Sequence, residues 1–205
     1  MALGKIFDWN RSTYQFPLDE AWEFGAETTK RITAELPCGI SEDDGSVLAQ
    51  TVRNAGNGDY LELGTFFGAT AILASLTKKE YSLKGDVCCV DDLTFYGQDR
   101  TPATIMNNAE RMGASIILNV AKTSPIPFRR KFNCVFIDAS HDVKSVLEDW
   151  INVRQVATKY VVFHDYSSAF PGVMNVVRFA DFWPVHISAH MAVLEKLWLS
   201  PLYPE

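Results

Sequence analysis

The 205-residue sequence lacks the features that mark several large classes of protein. It contains no arginine-rich run or basic cluster, and its net charge of −6 argues against nucleic acid or an anionic membrane as a partner. No apolar segment approaches the length that spans a bilayer, and the first residues lack the long apolar core of a signal peptide. These absences predict a cytoplasmic protein.

Cysteine is also scarce. The four cysteines show no CxxC spacing, and three of them, Cys88, Cys89 and Cys134, lie in apolar runs. This is typical of reduced thiols that pack as small hydrophobic side chains in a cytosolic protein. We therefore expect neither a disulfide framework nor a structural zinc site.

The sequence does have enough apolar side chains, 47% of its residues, to form one substantial core. Residues 18–36 have an amphipathic helical pattern, and Ser41 precedes a second helix with an acidic first turn, which runs to about residue 54. From residue 58 onward, apolar runs of strand length alternate with helical patterns. We expect one structural domain, with a helical segment at 1–57 on the substrate side and an α/β core at 58–205.

The core contains seven apolar runs that we interpret as strands, at 60–63, 86–90, 114–120, 132–138, 159–164, 184–189 and 194–199. Helical patterns lie at 70–78, 101–112, 144–156 and 172–181. Near-continuous apolar strands favour a sheet that is covered on both faces and is therefore parallel. Only a short turn region, 190–192, separates the last two runs, so they should form an antiparallel hairpin at the sheet edge. The pattern predicts a doubly wound α/β fold with an antiparallel C-terminal strand.

A glycine turn, residues 64–68, follows the first strand in the segment Asp59-Tyr-Leu-Glu-Leu-Gly-Thr-Phe-Phe-Gly. Ligands of such sheets bind at the carboxyl ends of strands, where glycines let the backbone approach closely and the next helix offers unpaired N–H groups. A tight turn that needs glycine for steric reasons alone explains the pattern about equally well.

Two acids, Asp91 and Asp92, follow the second strand. A carboxylate at this position is suited to accept hydrogen bonds from both hydroxyls of a ribose. The alternative is a pair of solvated loop acids. Because the glycine turn lies upstream, we favour ribose binding by at least one of them, with Asp91 first.

Later strand ends carry a second polar group: Asp138 and His141 after the fourth strand, and His164 and Asp165 at the end of the fifth. If these strands are neighbours, about 4.8 Å apart, Asp138, His164 and Asp165 emerge side by side. Adjacent carboxylates repel unless one is protonated or a cation lies between them. Carboxylates suit Mg²⁺ or Mn²⁺, and an imidazole shifts the preference toward Mn²⁺, Fe²⁺ or Zn²⁺. The alternative is helix capping by the acids and simple packing of His164. His141 is the candidate general base.

Taken in order, these segments resemble the class I S-adenosylmethionine-dependent methyltransferases. Leu61-Glu-Leu-Gly-Thr-Phe-Phe-Gly-Ala-Thr is similar to the first motif of that superfamily. The segments Phe136-Ile-Asp-Ala-Ser-His-Asp, Val162-Phe-His-Asp-Tyr and Phe170-Pro-Gly-Val resemble the small O-methyltransferase branch that includes macrolide-sugar O-methyltransferases and cephalosporin-hydroxylase-like proteins. The resemblance covers roughly residues 58–200.

This resemblance implies a Rossmann-like sheet of seven strands with a reversed last strand, and S-adenosylmethionine as cofactor. It implies that Gly64 and Gly68 flank the methionine part of the cofactor and that Asp91 holds its ribose. The other cofactor contacts that we expect are Glu62, Thr65, Phe66, Asp92 and Asp138. It also implies a divalent cation, Mg²⁺ or Mn²⁺ before Fe²⁺ or Zn²⁺, on Asp138, His164 and Asp165, with His141 and Asp138 as catalytic residues. His164 replaces an acid of the metal-binding relatives, and Lys122 stands where many relatives carry a Gly-Asp pair near the adenine.

The function that follows is metal-assisted O-methylation of a small-molecule hydroxyl on a sugar, a polyketide or a phenol. We expect no nucleic-acid or membrane partner, and a homo-oligomer is left open. The candidates for lining or covering the acceptor pocket are Trp9, Phe16, Trp22, Phe95 and the loop 95–97. Two alternatives stay open: a non-catalytic binding module with a methyltransferase fold, and a nicotinamide-dependent oxidoreductase. The sequence contains neither G-x-G-x-x-G nor Tyr-x-x-x-Lys, which counts against the oxidoreductase.

Overall fold

The structure, a computed structural model, describes residues 19–94, 100–125, 127–188 and 190–196. Within these ranges the helices are α1 (Glu20–Glu35), α2 (Glu42–Ala55), α3 (Ala69–Glu80), α4 (Pro102–Arg111), α5 (Val143–Val153) and α6 (Pro171–Phe179). The strands are β1 (Tyr60–Leu63), β2 (Val87–Asp91), β3 (Ile117–Val120), β4 (Phe132–Ile137), β5 (Ala157–His164), β6 (Trp183–Ile187) and β7 (Met191–Glu195). Among the residues predicted to line the acceptor pocket, Trp9, Phe16 and the loop 95–97 lie outside these ranges.

The strands form one sheet in the order β3-β2-β1-β4-β5-β7-β6. β1 to β5 run parallel, and β7 runs antiparallel to both β5 and β6. The predicted doubly wound sheet with its reversed last strand is therefore confirmed. The chain leaves β1 toward β2 and β3 and then returns to β4 on the other side of β1, where Leu63 and Ile137 are register partners. Such a switch point is where sheets of this kind bind ligands.

The C-terminal hairpin is confirmed, but its turn lies earlier than predicted. β7 begins at Met191, so the prediction of a turn at 190–192 is wrong for Met191 and Ala192, which are fully buried in the strand. The turn is tighter because the Ser188 N–H donates to the Met191 carbonyl at 2.8 Å and the Met191 N–H donates to the Ser188 hydroxyl at 3.0 Å. Residues 197–199 of the predicted last strand lie outside the described ranges.

Two apolar cores lie on opposite faces of the sheet. On one face, α1 to α4 cover residues such as Tyr60 and Phe136. On the other face, α5 and α6 cover residues such as Leu61 and Phe163. Successive strand residues point to opposite faces, so one continuous apolar run supplies both cores. Each fully buried Leu or Phe side chain contributes about 1.5–3 kcal/mol, and this burial holds the strand ends in place.

The N-terminal helices pack on the first of these faces. Asp19 caps α1 by accepting the Ala21 N–H at 2.9 Å. Ser41 and Asp44 form a capping box at the start of α2, which confirms the predicted helix start. α2 contacts α3 and the strands β4, β5 and β7. The division of the chain at residue 57 stays a prediction. None of the helices in the described part of the chain is long and apolar enough to cross a membrane.

Candidate functional site

A cleft of about 1010 Å³ opens at the carboxyl ends of the central strands. Its lining includes most of the residues that the sequence singled out: Gly64, Thr65, Phe66, Asp91, Asp92, Asp138, His141, His164 and Asp165. Glu62 and Gly68 are not among the described lining residues. Trp22 does not line the cleft either, because its ring packs edge-on against His186 of β6, with the centroids 6.5 Å apart.

The glycine turn is shaped first by the protein's own packing. Gly64 has a φ of 84°, and a Cβ there would lie 2.2 Å from the carbonyl oxygen of Asp138. Glycine at this position therefore lets the end of β1 approach the end of β4. Gly68, with a φ of 93°, precedes α3, and within the described residues no side chain caps this helix. Ala69 and Thr70 in its first turn line the cleft. The uncapped N–H groups of this turn make the start of α3 a site suited to an anion.

The carboxylate of Asp91 is occupied by the protein itself. Its Oδ2 accepts the backbone N–H groups of Thr65 and Phe66 at 2.8 and 2.9 Å, and its Oδ1 accepts the Leu93 N–H at 2.7 Å. Arg100 Nη1 lies 3.4 Å from the same Oδ2. These contacts use the acceptor capacity of one carboxylate almost completely. Asp91 therefore holds the glycine turn against the end of β2.

The carboxylate of Asp92 accepts fewer hydrogen bonds from the protein than that of Asp91. Its Oδ1 accepts the backbone N–H of Thr94 at 3.0 Å and the Thr94 hydroxyl at 2.6 Å. Its Oδ2 accepts no hydrogen bond from any residue that the structure describes. Asp92 therefore keeps an acceptor oxygen for a ligand at the cleft wall.

Glu62 lies beneath the glycine turn, on the same face of β1 as Tyr60. It is fully buried, and its Oε2 accepts a hydrogen bond from the Tyr60 hydroxyl at 3.0 Å. Burial raises the pKa of Glu62 to about 8, although contacts with Thr70 and Tyr60 oppose the shift. Glu62 is therefore a neutral supporting residue at pH 7 and does not line the cleft.

At the ends of β4 and β5, the structure brings together four residues that we call the acid–histidine cluster: Asp138, His141, His164 and Asp165. His141 Nε2 lies 2.8 Å from Asp165 Oδ2 and 3.7 Å from Asp138 Oδ1. His164 Nδ1 lies 3.3 Å from Asp138 Oδ2 and 3.6 Å from Asp165 Oδ2. Asp165 has a φ of 55°, in the left-handed region that non-glycine residues seldom adopt. Such strain at a cleft is typical of functional residues.

The charges within the acid–histidine cluster stabilise one another. The nearby carboxylates of Asp138 and Asp165 raise the pKa of His141 to about 9. Burial opposes ionisation of His164, but the carboxylates of Asp138, Asp165 and Asp44 raise its pKa above the ordinary value. Burial likewise opposes ionisation of Asp165, but the two histidines lower its pKa. In the absence of a cation, the positive charge between these carboxylates is therefore carried by imidazolium groups.

Sequence reasoning missed Asp44, which reaches this cluster from α2. Its Oδ2 lies 3.8 Å from His164 Nε2, and both side chains are almost fully buried. The capping-box spacing marks Asp44 as the third residue of a helix, but it does not indicate where that helix lies. The contact arises because α2 packs across β4 and β5.

The group of possible metal ligands in the structure differs from the predicted one by one residue. Asp138, His141 and Asp165 each offer one ligand atom, and these atoms all lie within 4.8 Å of one another. His164, which was predicted as a ligand, is not in this group, although its Nδ1 lies 3.3 Å from Asp138 Oδ2 and 3.6 Å from Asp165 Oδ2. Its Nε2 faces Asp44. Two carboxylates and an imidazole form a donor set that fits Mn²⁺, Fe²⁺ or Zn²⁺ and, through the carboxylates, Mg²⁺.

Comparison with known proteins gives both a family and a fold. A family model described as a methyltransferase domain matches residues 61–166. No curated protein matches the sequence at a significant level. Among solved structures, the O-methyltransferase TomG from Streptomyces achromogenes, involved in tomaymycin synthesis and solved with S-adenosylmethionine, is 16% identical, with a TM-score of 0.58 over 89% of this chain and 92% of that chain.

Two further solved structures share the fold at a similar level of sequence identity. CalS11, a TDP-rhamnose 3′-O-methyltransferase of calicheamicin biosynthesis, is 16% identical, with a TM-score of 0.60 over 90% of this chain and 98% of that chain. An O-methyltransferase from Bacillus cereus, solved with S-adenosylhomocysteine, is 16% identical, with a TM-score of 0.56 over 89% of this chain and 93% of that chain.

Proposed function

We infer the function from one premise: the chain belongs to the family of methyltransferase domains. It is therefore an enzyme of the methyltransferase type. We propose that it transfers the methyl group of S-adenosylmethionine to the hydroxyl group of a small molecule. The observation that carries this proposal is a single cleft lined by the glycine turn, by Asp92 and by the acid–histidine cluster. The proposal is supported by O-methyltransferases of the same fold that were solved with this cofactor or with its demethylated product.

We place the methionine part of the cofactor beside the glycine turn. The uncapped N-terminus of α3 meets the cleft there, at Ala69 and Thr70. Helix N-termini stabilise carboxylates, and the methionine part carries one. Thr65 and Phe66 line the same wall, held by Asp91, and Glu62 supports the turn from beneath.

For the ribose we propose Asp92 as the main contact, in place of Asp91. The hydroxyls of a ribose need acceptor oxygens, and Asp91 already accepts three backbone N–H groups. Asp92 lies beside it in the cleft and retains one oxygen for a ligand. Asp91 then acts indirectly, by holding the glycine turn in place.

We propose that the acceptor hydroxyl meets the methyl group above the acid–histidine cluster. The donor set of Asp138, Asp165 and an imidazole fits a divalent cation. When bound, such a cation lowers the pKa of a hydroxyl group in contact with it. The remaining work is positioning, because displacement of a methyl group from a sulfonium needs little covalent help from the protein.

His141 has two candidate roles in this scheme, and we propose that of general base. It is about one-third exposed to the cleft, and its ring packs on Phe170 with the centroids 4.4 Å apart. Asp165 orients the imidazole from 2.8 Å. Because the two carboxylates raise the pKa of His141 to about 9, the ring would act as a base once a cation held by Asp138 and Asp165 had displaced its proton. The alternative role is third metal ligand. A His141→Ala variant separates the two, because loss of a base lowers turnover but keeps Mn²⁺ affinity, whereas loss of a ligand lowers both.

The acceptor is proposed to be a sugar, a polyketide or a phenolic hydroxyl. TomG and CalS11 act in the synthesis of tomaymycin and calicheamicin, which supports a natural product of small size. Segment 38–40, between α1 and α2, lines the cleft, in keeping with a substrate-side role for the N-terminal segment. The cytoplasmic location and the absence of a nucleic-acid or membrane partner stay predictions, and the oligomeric state stays open.

Titration calorimetry tests the cofactor assignment. We expect S-adenosylhomocysteine to bind one to one with micromolar or tighter affinity, and NADH to give no binding. Asp92→Asn should weaken binding about tenfold through loss of a charged hydrogen bond. Asp86→Asn, at the opposite end of β2 and exposed beside Arg130, is the matched control and should bind as the wild type does.

Two results contradict the assignment. If the nucleoside product does not bind, the cofactor proposal fails, and NADH binding would favour the oxidoreductase. If the product binds but no hydroxyl acceptor supports turnover, the binding-module alternative is favoured.

A further inference from the structure

Helix α5 presents a buried carboxyl group to the cleft at Asp149. The residue is only 1% exposed, yet it belongs to the cleft lining. Its Oδ2 has no hydrogen-bond partner among the residues that the structure describes. A buried acceptor left unpaired costs about 1–3 kcal/mol. Such an acceptor in the wall of a ligand cleft can be paired by a hydrogen-bond donor on a bound ligand.

The sheet order places Asp149 at one end of the cleft. The lining passes from the acid–histidine cluster at β4 and β5, along the glycine turn at β1 and Asp92 at β2, to segment 122–124 after β3. Asn152, on the same helix as Asp149, donates a hydrogen bond to the Thr123 carbonyl at 3.2 Å, which ties α5 to that segment. With the methionine part at the glycine turn and the ribose at Asp92, the base of the cofactor lies at this end.

Adenine carries the kind of hydrogen-bond donor that the Asp149 carboxylate lacks. Adenine carries an exocyclic amine that donates hydrogen bonds. The segment after β3 offers Lys122, and an ammonium group donates but cannot accept. Burial raises the pKa of Asp149 to about 6, and the Thr123 hydroxyl beside it opposes the shift. The group is therefore largely ionised at neutral pH, as an acceptor should be.

We propose that the Asp149 carboxylate accepts a hydrogen bond from the exocyclic amine of the cofactor's adenine and thereby selects adenine over a 6-oxopurine. The inference rests on the proposed function, because it requires an adenosyl cofactor in the cleft. A 6-oxopurine places a second acceptor opposite the carboxylate, so the buried oxygen would stay unpaired. The selecting carboxylate would thus come from α5 and not from the segment after β3.

The test compares S-adenosylhomocysteine with S-inosylhomocysteine, in which an oxygen replaces the amine, by titration calorimetry. We expect the wild type to bind the adenosyl compound about 10–100-fold more tightly. Asp149→Ala should remove most of this preference by weakening the adenosyl compound. Asp149→Asn preserves the shape of the side chain and can present either a donor or an acceptor, so it should bind the two compounds nearly equally.

Asp181→Asn is the control, since it removes an exposed acid beside Arg154, outside the cleft lining, and should keep the wild-type preference. Thermal denaturation establishes that each variant is folded, and Asp149→Asn decides the test if the alanine variant is not. Equal wild-type affinity for the two compounds, or an unchanged preference in Asp149→Asn, overturns the role of Asp149 and leaves the proposed function intact. If the wild type binds neither compound, the proposed function falls, and this inference falls with it.

Discussion

Asp91 ends one buried strand and Asp165 follows another at the same edge of the sheet, but the protein uses their carboxylates differently. Asp91 accepts three backbone N–H groups, from Thr65, Phe66 and Leu93, and is almost fully buried. Asp165 instead faces two imidazoles, at 2.8 and 3.6 Å, and remains about one-fifth exposed. An acid at a strand end is therefore not a ligand site by position alone. The donors that the chain itself supplies decide whether the carboxylate is structural or open to a ligand.

The largest expected effect comes from Asp165→Asn, which changes the carboxylate that is open to a ligand. Asparagine tolerates the left-handed backbone of this position, so the change removes charge with little strain. We expect turnover to fall about 10³-fold, within the range seen when acid–base and electrostatic groups are removed. Mn²⁺ binding should be lost as well. Methyl-transfer rates and Mn²⁺ titration measure the two effects.

Affinity for S-adenosylhomocysteine serves as the internal control for this variant. It should stay within about twofold of the wild type, because Asp165 is not among the proposed cofactor contacts. Unchanged turnover, or wild-type turnover in the presence of a chelator, would refute a metal-assisted role for this cluster.

Asp91→Ala tests the structural role of the Asp91 carboxylate. The variant removes the carboxylate that accepts three backbone N–H groups and lies beside Arg100, so we expect the free energy of unfolding to fall by about 3 kcal/mol. Urea denaturation measures the loss. Cofactor affinity should fall in parallel, because the glycine turn loses its support. A variant of wild-type stability that fails to bind the cofactor would reverse the comparison and make Asp91 the ribose ligand.

Glu62→Gln has the smallest expected effect and depends on pH. The pKa of Glu62 is raised from 4.5 to about 8 in the folded protein, so the folded state holds this proton more tightly than the unfolded state. Its contribution to stability is fully present below pH 4.5 and is lost as the pH rises toward 8. Glutamine does not titrate, so between pH 5 and pH 7 the wild type should lose on the order of 2.5 kcal/mol relative to the variant. Parallel stability curves for the two proteins would show that burial does not hold Glu62 neutral.

Local sequence was sufficient to predict the sheet and the strand-end residues. Near-continuous apolar runs identified β1, β4 and β5, which are buried along most of their length, and the residues after them had to emerge at one edge. The position of the last turn was not predictable, because the Ser188 hydroxyl closes the hairpin by a side-chain hydrogen bond that hydrophobic patterning does not register.

The contacts that the site residues make were not predictable from the sequence, because they depend on tertiary packing. Asp44 reaches His164 only because α2 lies across β5. The acceptor that the Thr65 and Phe66 N–H groups share, Asp91 Oδ2, lies a whole helix and strand away in sequence. Asp149 has the position of an ordinary helical acid in the sequence. Its burial and its place in the cleft follow from how α5 packs against the sheet and the segment after β3.

The most direct test of this division of the cleft is a crystal structure of the protein with S-adenosylhomocysteine. We predict the carboxylate of the ligand at the N-terminus of α3, its ribose at Asp92, its adenine amine within hydrogen-bond distance of Asp149, and its sulfur facing the acid–histidine cluster. A ligand bound outside this cleft, or one turned round so that the adenine lies against Asp138 and His141, would contradict the account.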